Sequence, residues 1–227
     1  MERRRVFVTG GTGYLGGALL PVLVSRGHEV TALVRQGSER KLPADCRVVT
    51  GDPLASATFA GSVAPADTLV HLVGVPHPSP AKAALFESVD FVSIEAAVAA
   101  ATSAGVLHLV YLSVAHPAPA MRAYWGVRAR GEALIAASGI PAATFLRPWY
   151  VLGPGHRWPY LLVPMYALLE RLPGTRETAR RLGLVTLAQM VDALVWAVEH
   201  PPNGVRIVDV PAIRALHARR PPAATGT

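Results

Sequence analysis

Short apolar runs alternate along the chain with longer stretches in which apolar residues recur every three or four positions. The runs lie at 5–9, 29–34, 47–50, 68–73, 107–112, 142–146 and 205–210. Most are nearly continuous in Val, Leu, Ile and Phe, as parallel strands buried on both faces require. The stretches 15–26, 81–103, 123–138, 160–171 and 187–199 carry helical spacing; in the first, Leu15, Leu19, Leu20 and Leu23 share a face. Gly27, Gly105 and Gly139 follow the first three helices, where a glycine can take the left-handed turn that ends a helix. A further short strand is expected near 183–186. Strand–helix alternation of this kind predicts a doubly wound parallel α/β sheet with helices on both faces. The run from about 215, rich in Ala, Arg and Pro, predicts a flexible tail. The expected plan is therefore a single domain over 1–214, with a small C-terminal cap region from about 149, and a tail over 215–227.

In such a sheet, ligands lie across the carboxyl ends of the strands, so the residues just after each strand carry the chemistry. The first strand runs into Thr9-Gly10-Gly11-Thr12-Gly13-Tyr14-Leu15-Gly16. Gly10 permits a tight turn, Gly13 leaves room for a pyrophosphate, and Gly16 lets the helix start pack against the strand. The free N–H groups at the helix start make an anion site. This is the context of a dinucleotide site, with Gly10, Thr12, Gly13, Tyr14, Leu15 and Gly16 as its floor. After the second strand, Leu33-Val34-Arg35-Gln36-Gly37-Ser38 has no acid to bond a ribose 2′-hydroxyl. Arg35 suits a 2′-phosphate instead, helped by Ser38 or Arg40, which favours NADP over NAD. Asp52, followed by Pro53, either accepts from an adenine amino group or caps a helix beginning at Pro53. Gly74 follows the fourth strand.

Of the 227 residues, 51% are hydrophobic and 16% charged, enough for a sizeable core. The net charge of +7 suits an anionic cofactor. With no basic stripe interleaved with aromatics, nucleic acid is not an expected partner, and contact with a membrane surface is disfavoured. Cys46 is the one cysteine, so no disulfide forms within the chain. No His/Cys/carboxylate set stands at metal-ligand spacing, so no metal is expected. The N-terminal arginines lead into a strand rather than a secretory signal, and no run approaches ~18 apolar residues, so the expected location is cytoplasmic.

These residues resemble the short-chain dehydrogenase/reductase superfamily, in particular its atypical, NAD(P)-binding, epimerase/dehydratase-like branch. The glycine loop, Leu33-Val34-Arg35, Gly51-Asp52-Pro53-Leu54, the strand ending Tyr111-Leu112-Ser113, and Leu146-Arg147-Pro148-Trp149-Tyr150-Val151-Leu152-Gly153-Pro154 carry the likeness. The resemblance implies a Rossmann-type fold and places Pro148 beside the nicotinamide. It also implies a catalytic Tyr and Lys four residues apart, with a Ser opposite. Here Tyr124 matches the tyrosine, Ser113 the serine, and the lysine position holds Arg128. Arginine keeps the charge that favours a tyrosinate and can bond a ribose, but it does not relay protons. The implied activity is NADP(H)-dependent oxidation or reduction of a small apolar carbonyl or alcohol, with Tyr124 as acid, Ser113 as oxyanion partner and Arg128 as charge and ribose partner. A non-catalytic dinucleotide-binding sensor or assembly protein, and an epimerase or dehydratase with a tightly held cofactor, remain as alternatives.

The stretch after Gly155 is short for a nucleotide-sugar pocket. Trp149, Tyr150, Trp158, Tyr160, Met165 and Tyr166 predict an apolar cap, with a dimer face or a membrane-resting patch as the other readings of 158–172. A homodimer is left open. His71 is expected in the core, His77 and His116 in loops on the ligand side, and Glu132 is expected to pair with Arg128 one helical turn away.

Overall fold

The computed structural model describes residues 2–39, 42–154 and 161–219. Arg40, Trp158 and Tyr160, singled out above, lie outside them. The chain runs β1 (Arg5–Thr9), α1 (Tyr14–Ser25), β2 (Glu29–Val34), β3 (Arg47–Thr50) and β4 (Thr68–His71). It then forms α2 (Ala83–Leu85), a π-helical stretch Phe86–Phe91, α3 (Val92–Ser103), β5 (His108–Leu112), α4 (Arg122–Ala137), β6 (Ala142–Arg147) and β7 (Tyr150–Leu152). The remainder is α5 (Val163–Leu169), α6 (Arg176–Arg181), β8 (Leu184–Thr186), α7 (Leu187–Glu199), β9 (Gly204–Asp209) and α8 (Val210–Ala218).

Seven strands form one parallel sheet in the order β3-β2-β1-β4-β5-β6-β9. Successive side chains on each strand point to opposite faces and feed two cores. Val6, Val8, Val70, Val110 and Val208 meet α1 and α7 through Leu19, Leu23, Leu194 and Val198. Phe7, Leu69, Leu109, Tyr111 and Phe145 meet α3 and α4 through Ile94, Ala97 and Ile135. This is the doubly wound fold expected. The chain leaves β1 toward β2 and β3, then returns to place β4 on the other side of β1. That reversal opens a crevice at the carboxyl ends of β1 and β4, between the glycine loop and Leu72–Gly74.

Four boundaries differ from expectation. The helix expected over 81–103 is a composite, with a 3-10 turn at Pro80–Lys82, α2, the π stretch and α3. The helix expected at 160–171 is α5 alone. β7 pairs with β8 in a small second sheet that the pattern did not reveal. The tail expected from about 215 is helical through Ala218: Asp209 caps α8 by accepting from the Ala212 amide at 3.0 Å, Pro211 occupies its first turn, and Val210 and Ile213 are buried. Apolar anchoring outweighs the Ala/Arg-rich composition there. Gly27, Gly105 and Gly139 do take positive φ, at 83°, 68° and 81°.

Candidate cofactor and active site

The crevice floor is built by missing side chains. Gly10 has φ +76°, and a Cβ on it would lie 2.8 Å from the Leu72 carbonyl carbon across the crevice. A Cβ on Gly16 would fall 2.4 Å from the Gly10 carbonyl oxygen. Only glycine lets β1, the loop and α1 close up this tightly. Gly13 donates to the Gly10 carbonyl at 3.0 Å and caps α1 without a side chain, so the first-turn amides face the crevice unblocked by a capping group. These features fit a diphosphate. Thr12 in the loop and Leu15 at the start of α1 are half-buried. Tyr14 turns away toward the cap: a Cβ on Gly153 would lie 2.0 Å from its hydroxyl.

Arg35 is exposed at the end of β2, and its carbonyl accepts from the Ser38 amide at 3.0 Å. Asp52 is also exposed. Its Oδ1 accepts from the Leu54 amide at 2.9 Å, a local turn that also orders Pro53, while its own amide donates to Thr58 Oγ1 at 2.9 Å. The helix cap allowed for at Pro53 does not form; the next helical residues are Ser56–Thr58.

Arg128 sits on α4 one turn after Tyr124, as expected, but its guanidinium points inward and the residue is only 3% exposed. Nη1 donates to the Leu112 carbonyl at 2.9 Å and the Val73 carbonyl at 3.4 Å, tying together the chain just past β4 and β5. Nη2 lies 3.4 Å from Asp90 Oδ2, and the other Asp90 oxygen accepts from the Val75 amide at 2.7 Å. A Cβ on Gly74 would fall 2.0 Å from Nη2, so Gly74 is the space the guanidinium occupies. The Tyr111 and Tyr124 rings lie 5.8 and 5.4 Å from the guanidinium carbon. Burial opposes the charge on Arg128, yet Tyr124, Tyr111 and Asp90 hold its pKa above the ordinary value. Burial pushes the Asp90 carboxyl up, while Arg128 and the Val75 amide pull it back. Arg128 thus stands in a buried ion pair with Asp90 beside Gly74.

Ser113 directly follows β5 and is 3% exposed. Its hydroxyl donates to Glu132 Oε1 at 2.5 Å. Glu132, 5% exposed, also takes Arg147 through both Nε, at 2.9 Å, and Nη2, and lies 3.3 Å from His116 Nε2. Glu132 therefore pairs with Arg147, not with Arg128 as expected, because Arg128 pairs with Asp90 instead. A hydroxyl has one proton, so Ser113 cannot serve Glu132 and a substrate oxygen at once.

Tyr124 is half-buried, its ring 5.0 Å from Phe86. Pro148 is buried, its carbonyl accepting from Ala115 at 2.8 Å, which holds the segments after β5 and β6 side by side. His71 is a core residue, as expected, 0% exposed between Thr9 Oγ1 at 2.8 Å and Ser93 Oγ at 3.2 Å. Burial, with Arg128 nearby, pushes its pKa down to about 3. His116 stacks on Trp125, and His77 is exposed with φ 49°. Among the described residues, no group of three or more His, Cys, Asp or Glu could hold a metal ion. Asp90 escaped the sequence reading, although a signal existed. It shares the buried face of its helix with Ile94 and Ala97, and an acid on such a face needs an internal partner.

Residues 10–157 match the family described as NAD(P)H-binding. The 4-hydroxy-2-methyl-3-oxo-4-farnesyl-3,4-dihydroquinoline-1-oxide ketoreductase of Stigmatella aurantiaca is 29% identical over 170 residues, 66% of this chain and 51% of that protein. The ceramide reductase of Caulobacter vibrioides is 29% identical over 180 residues, 77% of this chain and 55% of that protein. The chain thus spans about half the length of these curated relatives. The crystal structure of the Bordetella bronchiseptica enzyme WbmH in complex with NAD+ superposes with a TM-score of 0.68 at 22% identity, covering 96% of this chain and 80% of that one.

Proposed function

Because the chain belongs to the NAD(P)H-binding family and has the fold of the short-chain dehydrogenase/reductases, we propose that it is an NADPH-preferring reductase of an apolar carbonyl compound. The observation that carries this reading is the placement of Tyr124 and Arg128 on one face of α4, the guanidinium 5.4 Å from the phenol ring and under Gly74 at the crevice. The two reductases similar to this chain, named for a farnesylated quinoline and for ceramide, support an apolar substrate.

When bound, the dinucleotide supplies hydride. The amides after Gly13 would hold its diphosphate, the exposed Arg35 would meet its 2′-phosphate, and Asp52 and Pro53 would border its adenine. A carbonyl gaining a hydride builds negative charge on oxygen and needs a proton there. Tyr124 gives that proton. Arg128 is a permanent cation 5.4 Å from that ring. Its buried guanidinium cannot pass the proton on, so Tyr124 is reprotonated from solvent. Ser113 fixes the end of β5 with its proton held by Glu132; to act as oxyanion partner it would first have to release Glu132. The sealing of Arg128 by Asp90 favours a second reading, a dinucleotide-binding sensor without turnover.

Calorimetric titration with NADPH and NADH, followed by NADPH absorbance over a panel of long-chain ketones, separates the readings. NADPH is expected to bind more tightly, with the preference erased in Arg35→Ala; equal affinities in the unaltered protein would end the NADP assignment. Tyr124→Phe is expected to keep NADPH binding and to lose about a hundredfold or more in turnover. Binding with no turnover of any ketone would establish the sensor instead.

A further inference from the structure

Helix α5 has the sequence Val-Pro-Met-Tyr-Ala-Leu-Leu, with no charged residue, yet it lies on the surface. A helix apolar on every side is ordinarily buried. Its inner face is engaged: Trp149 hydrogen bonds the Tyr166 phenol, whose pKa is raised by burial, and Tyr150 lies close by. Its outer face is open. Leu161, Met165, Leu168 and Leu172 are 81%, 45%, 59% and 46% exposed. Met165 and Leu168, three apart, share a face of α5, and Leu161 and Leu172 stand just beyond its two ends, so four open apolar side chains make up this stripe.

Cations border this stripe. Arg171, Arg176 and Arg180 are exposed, and Arg181 at the end of α6 reaches back to donate to the Pro117 carbonyl. Of the two acids in 161–181, Glu170 is paired with Arg214 at 3.0 Å, leaving Glu177. The contact with Pro117 puts the arginine-rich end against the loop that carries His116 and leads into α4. The end of α6 therefore stands beside the loop that leads into α4.

We propose that this face docks on an anionic membrane surface, the leucines entering the apolar boundary and the arginines meeting lipid phosphates, and that the carbonyl substrate is drawn from the lipid phase. Whole-chain composition disfavours membrane contact, but apolar stripe and basic border standing together are the pattern an interfacial helix needs. A second copy of this chain would bury the leucines equally well. It would, however, bring the arginine border of one copy toward that of the other, whereas anionic lipid neutralises it. The docking rests on these residues alone; the origin of the substrate also rests on the reductase reading.

The test is co-sedimentation with vesicles of equal parts phosphatidylglycerol and phosphatidylcholine, against phosphatidylcholine alone, with no cofactor or carbonyl present. The protein is expected to pellet with the anionic vesicles. Leu161→Gln/Leu168→Gln and Arg171→Glu/Arg180→Glu are each expected to weaken partition about tenfold or more, with unchanged far-UV melting curves. Protein left in solution with both vesicles, or unchanged partition of either variant, would overturn the proposal. So would a dimer by light scattering that the leucine variant dissolves. Because no turnover is measured, failure of the reductase reading leaves this outcome untouched.

Discussion

Arg128 holds a full charge where 3% of its surface is open, and its surroundings are arranged around that fact. Asp90 answers the charge, the Leu112 and Val73 carbonyls take its protons, and position 74 carries no side chain. Removing one partner of a buried ion pair commonly costs about 3–5 kcal/mol, because the other charge is stranded. The glycine is tied as closely. Gly74→Ala is expected to destabilise the protein by about 1–3 kcal/mol, since its methyl group would stand where Nη2 now is. In an Arg128→Lys background the same change should cost less, for an ammonium lacks the second arm. Urea denaturation of the four members of this cycle gives the coupling; additive costs would show the two positions to be independent. The spacing of Tyr124 and Arg128 was legible in the sequence, whereas the direction of the guanidinium was not. Direction depended on Asp90, thirty-eight residues earlier in the chain, and no local pattern links the two.

At the scale of elements, the helices and strands closing the crevice were read nearly residue by residue. They satisfy several signals at once: an apolar period, a bounding glycine, and for β1 and α1 the loop between them. α6 has one buried residue, Ala179, and so offers no periodic stripe to find. β7 is three residues long and begins two residues after Pro148. The π stretch Phe86–Phe91 interrupts a helix without changing its composition. α7 shows the opposite case, a helix start fixed by side chains. Thr186 accepts from the Gln189 amide at 3.2 Å, and the Gln189 side chain accepts from the Thr186 amide at 2.8 Å. Thr186→Ala is expected to lower stability by about 1 kcal/mol, seen as a lower midpoint in thermal melting followed by circular dichroism. No change would mean that packing of Leu194 and Val198 alone holds the helix.

At the scale of the whole molecule, two histidines among the described residues sit sealed in the strands and charge only when the sheet opens. His71 has its pKa at about 3 through burial and the charge of Arg128; His108 is at about 4, through burial and the charges of Arg4 and Arg206. In the unfolded chain both return to near 6.5. As pH falls below that value the unfolded chain binds protons that the native state refuses, so stability rises with pH across this window and is lost on acidification. The slope is about 1.4 kcal/mol per pH unit for each histidine. Urea midpoints should therefore fall from pH 6.5 toward pH 4.5, and His108→Gln should remove about half of that fall. A midpoint flat across the range would place both rings in contact with water. The sheet has one further consequence. β6 and β9 are neighbours in it, yet β7, α5, α6, β8 and α7 all intervene between them in the chain. The second sheet and the helices around it are thus an excursion between two adjoining rungs of the scaffold. On the proposed reductase reading, exchanging that excursion for another of different length would change which substrate is taken while the glycine loop stays as it is, so the two can diverge at separate rates.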